Sequence, residues 1–127
     1  MISKTYDSIS TRDFYYKFFE LYNVLQNNKK LKLTERQIDF LAEFMALDSS
    51  FKFTRFKGLG KKKLIEIYKE RGEEVSVQNL DATLSALKRK GLVIEQTDGM
   101  KYLNPKIEKF IDPNNKSFEF IFKFNIV

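Results

Sequence analysis

The sequence predicts an α+β fold, and three observations predict it. Apolar residues recur at helical spacing in four stretches, each with its own start or stop signal. A β-branched run, a turn signal and a second short apolar run over residues 92–103 predict an antiparallel hairpin. A strictly alternating segment, with Phe118, Phe120, Phe122, Phe124 and Ile126 on one side, predicts a strand near the C-terminal end.

Taken in order, residues 1–10 read as a loose arm. Ser10 or Thr11 can cap a helix through about residue 27, with Phe14, Phe18, Leu21 and Leu25 in one stripe. Tyr15, Phe19 and Tyr22 widen that stripe beyond what one small core draws from a helix. The helix is expected either to lie across the rest of the domain or to form a dimer or partner-docking face. After the polar connector 27–32, Thr34-Glu-Arg-Gln37 fits a capping box. The helix it opens reaches about residue 48 and turns Ile38, Leu41, Ala42 and Met45 inward. Residues 51–57 alternate aromatic and polar and then shift phase, so they fit either a short strand or an irregular turn. A helix from Lys61 to about Arg71 follows Gly58-Leu-Gly60 and carries Leu64, Ile65, Ile67 and Tyr68, with Gly72 ending it.

The next thirty residues organise the chain. Ser76 is a good N-cap, and Val77, Leu80, Leu84 and Leu87 fall on one face. Lys88, Arg89 and Lys90 suit the negative end of the helix, and Gly91 stops it. Residues 92–96 and 100–103 then pair across Thr97-Asp98-Gly99. Asn104-Pro105 starts a last short helix to about residue 111, and residues 112–116 form a turn-rich break. The terminal strand is expected to pair within the sheet and to pack on the aromatic N-terminal helix, because such a strand is not stable alone.

Helix, glycine stop, strand, turn, strand in this order resembles the second half of a winged-helix domain, its recognition helix followed by its wing. Gly91-Leu-Val-Ile, the turn, and Tyr102-Leu-Asn-Pro105 look like the end of the winged helices in plasmid and phage replication initiators and regulators. The resemblance covers roughly residues 34–111. It implies a winged helix-turn-helix core there, with residues 1–33 as an added arm and aromatic helix and 112–127 as a strand on the same domain. Gly58-Leu-Gly60-Lys-Lys also resembles the glycine turn of a helix-hairpin-helix motif, although that motif needs a helix just before its turn, where the residues read as strand-like.

Composition bounds the chemistry. The chain has 127 residues and neither cysteine nor histidine. Disulfides, Cys/His zinc sites and Ser-His or Cys-His dyads are therefore excluded. The acids are scattered, so the expectation is a protein with no catalytic residues, no metal and no cofactor. No apolar run of signal or transmembrane length occurs, which predicts a cytoplasmic protein, in a host cytoplasm or virion if phage-encoded, with no membrane partner.

Charge location is more telling than its total. The net charge is +6, and residues 52–63 hold all of the excess: Lys52, Arg55, Lys57, Lys61, Lys62 and Lys63, with no acid among them. A concentrated basic patch on an otherwise balanced chain predicts a polyanionic partner. Three lysines in a first helical turn oppose the dipole, a cost that a bound phosphate offsets. With Leu80, Leu84 and Leu87 inward, Gln78, Ala82, Ser85 and Arg89 fall opposite, with Asn79, Asp81 and Lys88 on the flanks. If this is a recognition helix, Gln78 and Asn79 sit where such helices meet base edges, Ser85 allows close approach, and Arg89 can take guanine or phosphate. The hairpin tip, Gln96 to Lys101, carries one acid and one base, so phosphate contacts would fall to the lysines. The expected role is non-catalytic binding of double-stranded DNA, as a transcription regulator or replication-initiation factor of a phage, plasmid or AT-rich bacterium. The alternative is a winged helix used for protein interaction or structure within a larger assembly such as a virion, with a homodimer or protein partner at the aromatic ends.

Overall fold

Most helices in this chain begin where a side chain can satisfy their orphan amides. Ser10 Oγ accepts from Asp13 N at 3.1 Å, opening α1 (Thr11–Val24). Thr34 and Gln37 form a reciprocal capping box at the start of α2 (Glu35–Ala46), and Ser76 and Asn79 form another at α4 (Val77–Arg89). Asn104 caps the short α5 (Pro105–Glu108) by accepting from Lys106 N at 3.0 Å. The exception is α3 (Gly58–Glu70), whose N-cap Lys57 has no side-chain capping bond. The structure, a computed structural model, describes residues 9–112, 117–120 and 125–126.

These elements build an α+β fold. α1 packs along α2, while α2, α3 and α4 contact one another pairwise. Strands β1 (Val93–Glu95) and β2 (Lys101–Leu103) follow α4 as an antiparallel hairpin, with Val93 opposite Leu103 and Glu95 opposite Lys101. β3 (Ile111–Asp112) and β4 (Ser117–Phe118) make a second antiparallel pair. One apolar core joins Phe18 and Phe19 of α1 to Phe40, Leu41 and Phe44 of α2. It continues through Leu64 of α3, Leu80 and Leu87 of α4, and Leu92 and Val93 at the hairpin. Gly91 takes φ +80°, the left-handed conformation that turns the chain from α4 into β1.

Several boundaries move. α1 stops at Val24, short of residue 27, and a single 3-10 turn, Lys29–Leu31, fills the connector. Residues 49–57 form neither strand nor open loop: a 3-10 turn (Ser49–Phe51) runs into further turns bonded from Thr54 N to Phe51 O and from Lys57 N to Thr54 O. Local i→i−3 bonds from Phe51, Lys52, Thr54 and Lys57 thus hold this segment in turns in place of a sheet ladder. α3 starts at Gly58, three residues before the expected start. Val77, expected inward, is 47% exposed because it sits in the first turn of α4, beyond the reach of the core.

Only part of the expected C-terminal strand falls within the described residues. Among the described residues of this segment, Phe118 and Ser117 pair with Ile111 and Asp112 of β3, and not with the hairpin. The predicted strand positions 121–124, the arm residues 1–8 and part of the turn at 113–116 lie outside the described residues. Packing on α1 is present: the Phe118 ring meets Phe14 and Phe18 edge-on at 5.2 and 5.1 Å between centroids, and Phe120 lies 5.4 Å from Phe18.

Candidate nucleic-acid interface

α4 presents the face that its sequence pattern predicts. Leu80 and Leu87 are fully buried and Leu84 nearly so, while Gln78, Ala82, Ser85 and Arg89 are exposed. Among the described residues nothing covers that edge, and no bond or ion pair engages the side chains of Gln78, Ser85 or Arg89. Asn79 differs. Its Oδ1 accepts from the backbone N and the hydroxyl of Ser76, at 3.2 and 2.9 Å, so half of its amide works as a cap. Thr83, on the inner side, is buried.

The first turn of α3 lies beside α4. Lys61 Nζ donates to Asp81 Oδ1 of α4 at 2.7 Å, and the lysine side chain is only 18% exposed. Lys62 is exposed and makes no ion pair among the described residues; Lys63 lies 3.7 Å from Glu66, one turn along. Lys57 is half-buried at the N-cap, where Gly60 N already donates to Thr54 O and Lys61 N to Lys57 O. Among the described residues the amides of Gly58 and Leu59 have no backbone acceptor, and both residues are exposed.

Gly60 has a packing reason of its own. A Cβ added there would sit 1.8 Å from the carbonyl oxygen of Arg55, whereas one added at Gly58 would meet nothing within 4 Å. The second glycine thus lets the preceding turn seat on the helix start, which any glycine-turn resemblance would have to share.

Arg55 stands apart from the other cations. Its guanidinium donates to the carbonyls of Phe44 and Met45, at 3.0 and 2.6 Å, closing the C-terminal end of α2, and burial lowers its pKa. In this position it serves as a helix cap, as its place at the negative end of the dipole favours. Lys52 lies on the same turn, 5.6 Å from the ring centroid of Phe53, on the side that faces β2. The six cations of residues 52–63 therefore divide into a turn group (Lys52, Arg55) and a helix group (Lys57, Lys61, Lys62, Lys63).

Two features escaped sequence reading. Phe53 is 63% exposed and Leu59 62% exposed, the largest apolar side chains bared near the lysines. The phase shift at residues 51–57 held a trace of this, since an aromatic run that changes face leaves one ring outside. Lys88, on the flank of α4, donates to Glu95 Oε2 of β1 at 2.5 Å, which holds the Glu95 carboxyl below the ordinary carboxylate range. This exposed pair links the hairpin to the last turn of α4.

A second polar cluster lies on the other side of α2. Arg12 and Arg36 flank Asp39, which also accepts from the Tyr68 hydroxyl at 2.9 Å, and Arg12 and Arg71 flank the buried Glu43. A shallow cleft of about 540 Å³ opens there, lined by Arg12, Tyr16, Glu35, Arg36 and Asp39. Among the described residues its charges are matched to one another, Arg12 and Arg36 each facing carboxylates. Among the described residues no group of three acidic side chains could hold a metal ion, and no helix is long and apolar enough to cross a membrane. Comparisons with protein-family models, curated proteins and solved structures find no match for this chain.

Proposed function

We propose that this chain is a winged helix-turn-helix DNA-binding protein without catalytic activity, in which α2–α4 form the helical core, α4 reads the groove and β1–β2 form the wing. The observation that carries the reading is the bare outer edge of α4, from Gln78 to Arg89, beside the lysine-rich start of α3. Gln78 would pair with adenine and Arg89 with guanine or a phosphate, while Ser85 and Ala82 would permit close approach. Lys57, Lys62 and Lys63, with the free amides of the α3 start, would hold the flanking phosphates. Asn79 contributes through its free Nδ2 group while its oxygen keeps the cap. Regulation of transcription or initiation of replication are the roles such a domain would serve.

Anisotropy titration of labelled duplexes, one of mixed sequence and one AT-rich, tests the reading. Affinity should fall as salt rises, with a log–log slope of roughly −0.9 per neutralised phosphate. Lys62→Gln with Lys63→Gln should flatten that slope and weaken both duplexes alike, whereas Gln78→Ala should change their ranking. If neither duplex binds at low salt, the proposal is lost.

A second reading, a winged helix serving protein interaction, draws on the exposed Phe53 and on a hairpin turn whose charges balance.

A further inference from the structure

We infer that the outer edge of β2 is a docking site for an extended acidic peptide, which would add a third strand to the hairpin. The phase of the ladder comes from its ends: Asn104 N donates to Leu92 O at 2.7 Å, and Gln96 N to Met100 O at 2.8 Å. Residues 94 and 102 lie midway between those bonded positions in the observed register. Ile94 and Tyr102 therefore exchange the inner bonds, and Lys101 and Leu103 turn their N–H and C=O groups away from β1. Among the described residues those outward groups have no partner, and β2 has no neighbour but β1. Such an edge is a template for another strand.

Here the template faces a cleft. A space of about 210 Å³ separates β2 from the turn at residues 52–56, with Met45, Phe53 and Phe56 supplying apolar wall. That is room for an apolar side chain of an added strand, and the 63% exposure of Phe53 leaves a ring for it to lie against. The charge of the cleft selects the partner. Among the described residues, Lys52, Arg55 and Lys101 line it against a single acid, Glu108. Arg55 is bonded only to neutral carbonyls and has no carboxylate partner among the described residues. A peptide alternating apolar and acidic residues meets all three features: backbone for the edge, a side chain for the cleft, and carboxylates for the cations. Nucleic acid would meet only the cations and the ring.

The test is a displayed library of random peptides about ten residues long, selected against the whole chain, with binders re-measured in solution. Selected peptides should carry acids beside alternating apolar residues, and binding should slow hydrogen exchange at the Lys101 and Leu103 amides. N-methylation at alternate peptide positions should abolish binding. Phe53→Ser, and separately Lys52→Gln with Lys101→Gln, should each weaken affinity about tenfold while the melting temperature holds. Arg89→Ala, which weakens duplex DNA under the proposed function, should leave the peptide untouched, so the two ideas fail separately. A library without binders, binders that protect amides elsewhere, or protection of Lys101 and Leu103 by duplex DNA alone overturns the inference.

Discussion

Lys61 Nζ lies 2.7 Å from the Asp81 carboxylate, a contact that joins the first turn of α3 to the outer flank of α4. In the proposed complex the pair stands where phosphate should approach, so the acid is out of place and holds a lysine that could serve DNA. Asp81→Asn should therefore raise duplex affinity and steepen its salt slope by up to about one unit as Lys61 turns outward. Stability should fall by no more than about 1 kcal/mol, because Asp81 is 52% exposed and such pairs are weak. Anisotropy titrations of the variant and parent over a salt series measure the effect, and an unchanged slope would place Lys61 outside the interface.

The two glycines before the lysines should separate on substitution. Gly60→Ala drives a methyl into the Arg55 carbonyl, 1.8 Å away, and backbone on both sides must shift. A loss of about 1–3 kcal/mol is expected, together with broadened signals from residues 54–60. Gly58→Ala meets open space at the first helical position and should be neutral or stabilising by about 0.5 kcal/mol through the unfolded state. Urea unfolding of the two variants checks the contrast.

How much of this was readable beforehand follows the range of the physics. Caps and stops are local, so Ser10, Thr34, Ser76, Gly91 and Asn104-Pro105 each marked an element within a few residues. The inward face of α4 was readable because 3.6-residue spacing sorts Leu80, Leu84 and Leu87 from Gln78, Ser85 and Arg89. Long-range pairing was not. Nothing near Arg55 in sequence says that the carbonyls of Phe44 and Met45 end beside it, and nothing near Lys61 points to Asp81, twenty residues on. The turn at 49–57 was ambiguous for a different reason: its bonds are local, but alternating aromatics fit a strand as well as they fit the 3-10 turns that form. The acid–base cluster around Asp39 and Glu43 went unseen because it gathers α1, α2 and α3.

Removing the ring of Phe118 should expose how far the C-terminal segment stabilises the whole. Phe118 is half-buried and meets Phe14 and Phe18 edge-on, so Phe118→Ala should cost about 2 kcal/mol, less than the full cost of a buried ring. Phe18→Ala, with its ring fully buried, should cost about 3–5 kcal/mol. Chemical denaturation gives both values. Sedimentation of Phe118→Ala at high concentration adds a second check: if the segment covers α1 within its own chain, the variant should self-associate more than the parent.

Tyr68 should make the protein sensitive to alkali. Its hydroxyl donates to Asp39 Oδ2 at 2.9 Å from a buried position, and burial first, then that bond and the nearby carboxylates, push its pKa far above the ordinary 10.0. The folded state then keeps a proton that the unfolded chain releases. The stabilisation is complete below the unfolded value near 10 and declines as pH rises above it toward the folded value, because the unfolded state there binds fewer protons. Tyr68→Phe removes that linkage. At neutral pH the variant should lose about 1 kcal/mol for the missing hydrogen bond, more if Asp39 is left under-satisfied, although Arg12 and Arg36 still hold that carboxylate. Above pH 10 its stability should fall less steeply than that of the parent, so the two curves converge. Urea midpoints measured at intervals from neutral to strongly alkaline pH decide it, and parallel curves would show that Tyr68 ionises in the folded chain as readily as in the unfolded one.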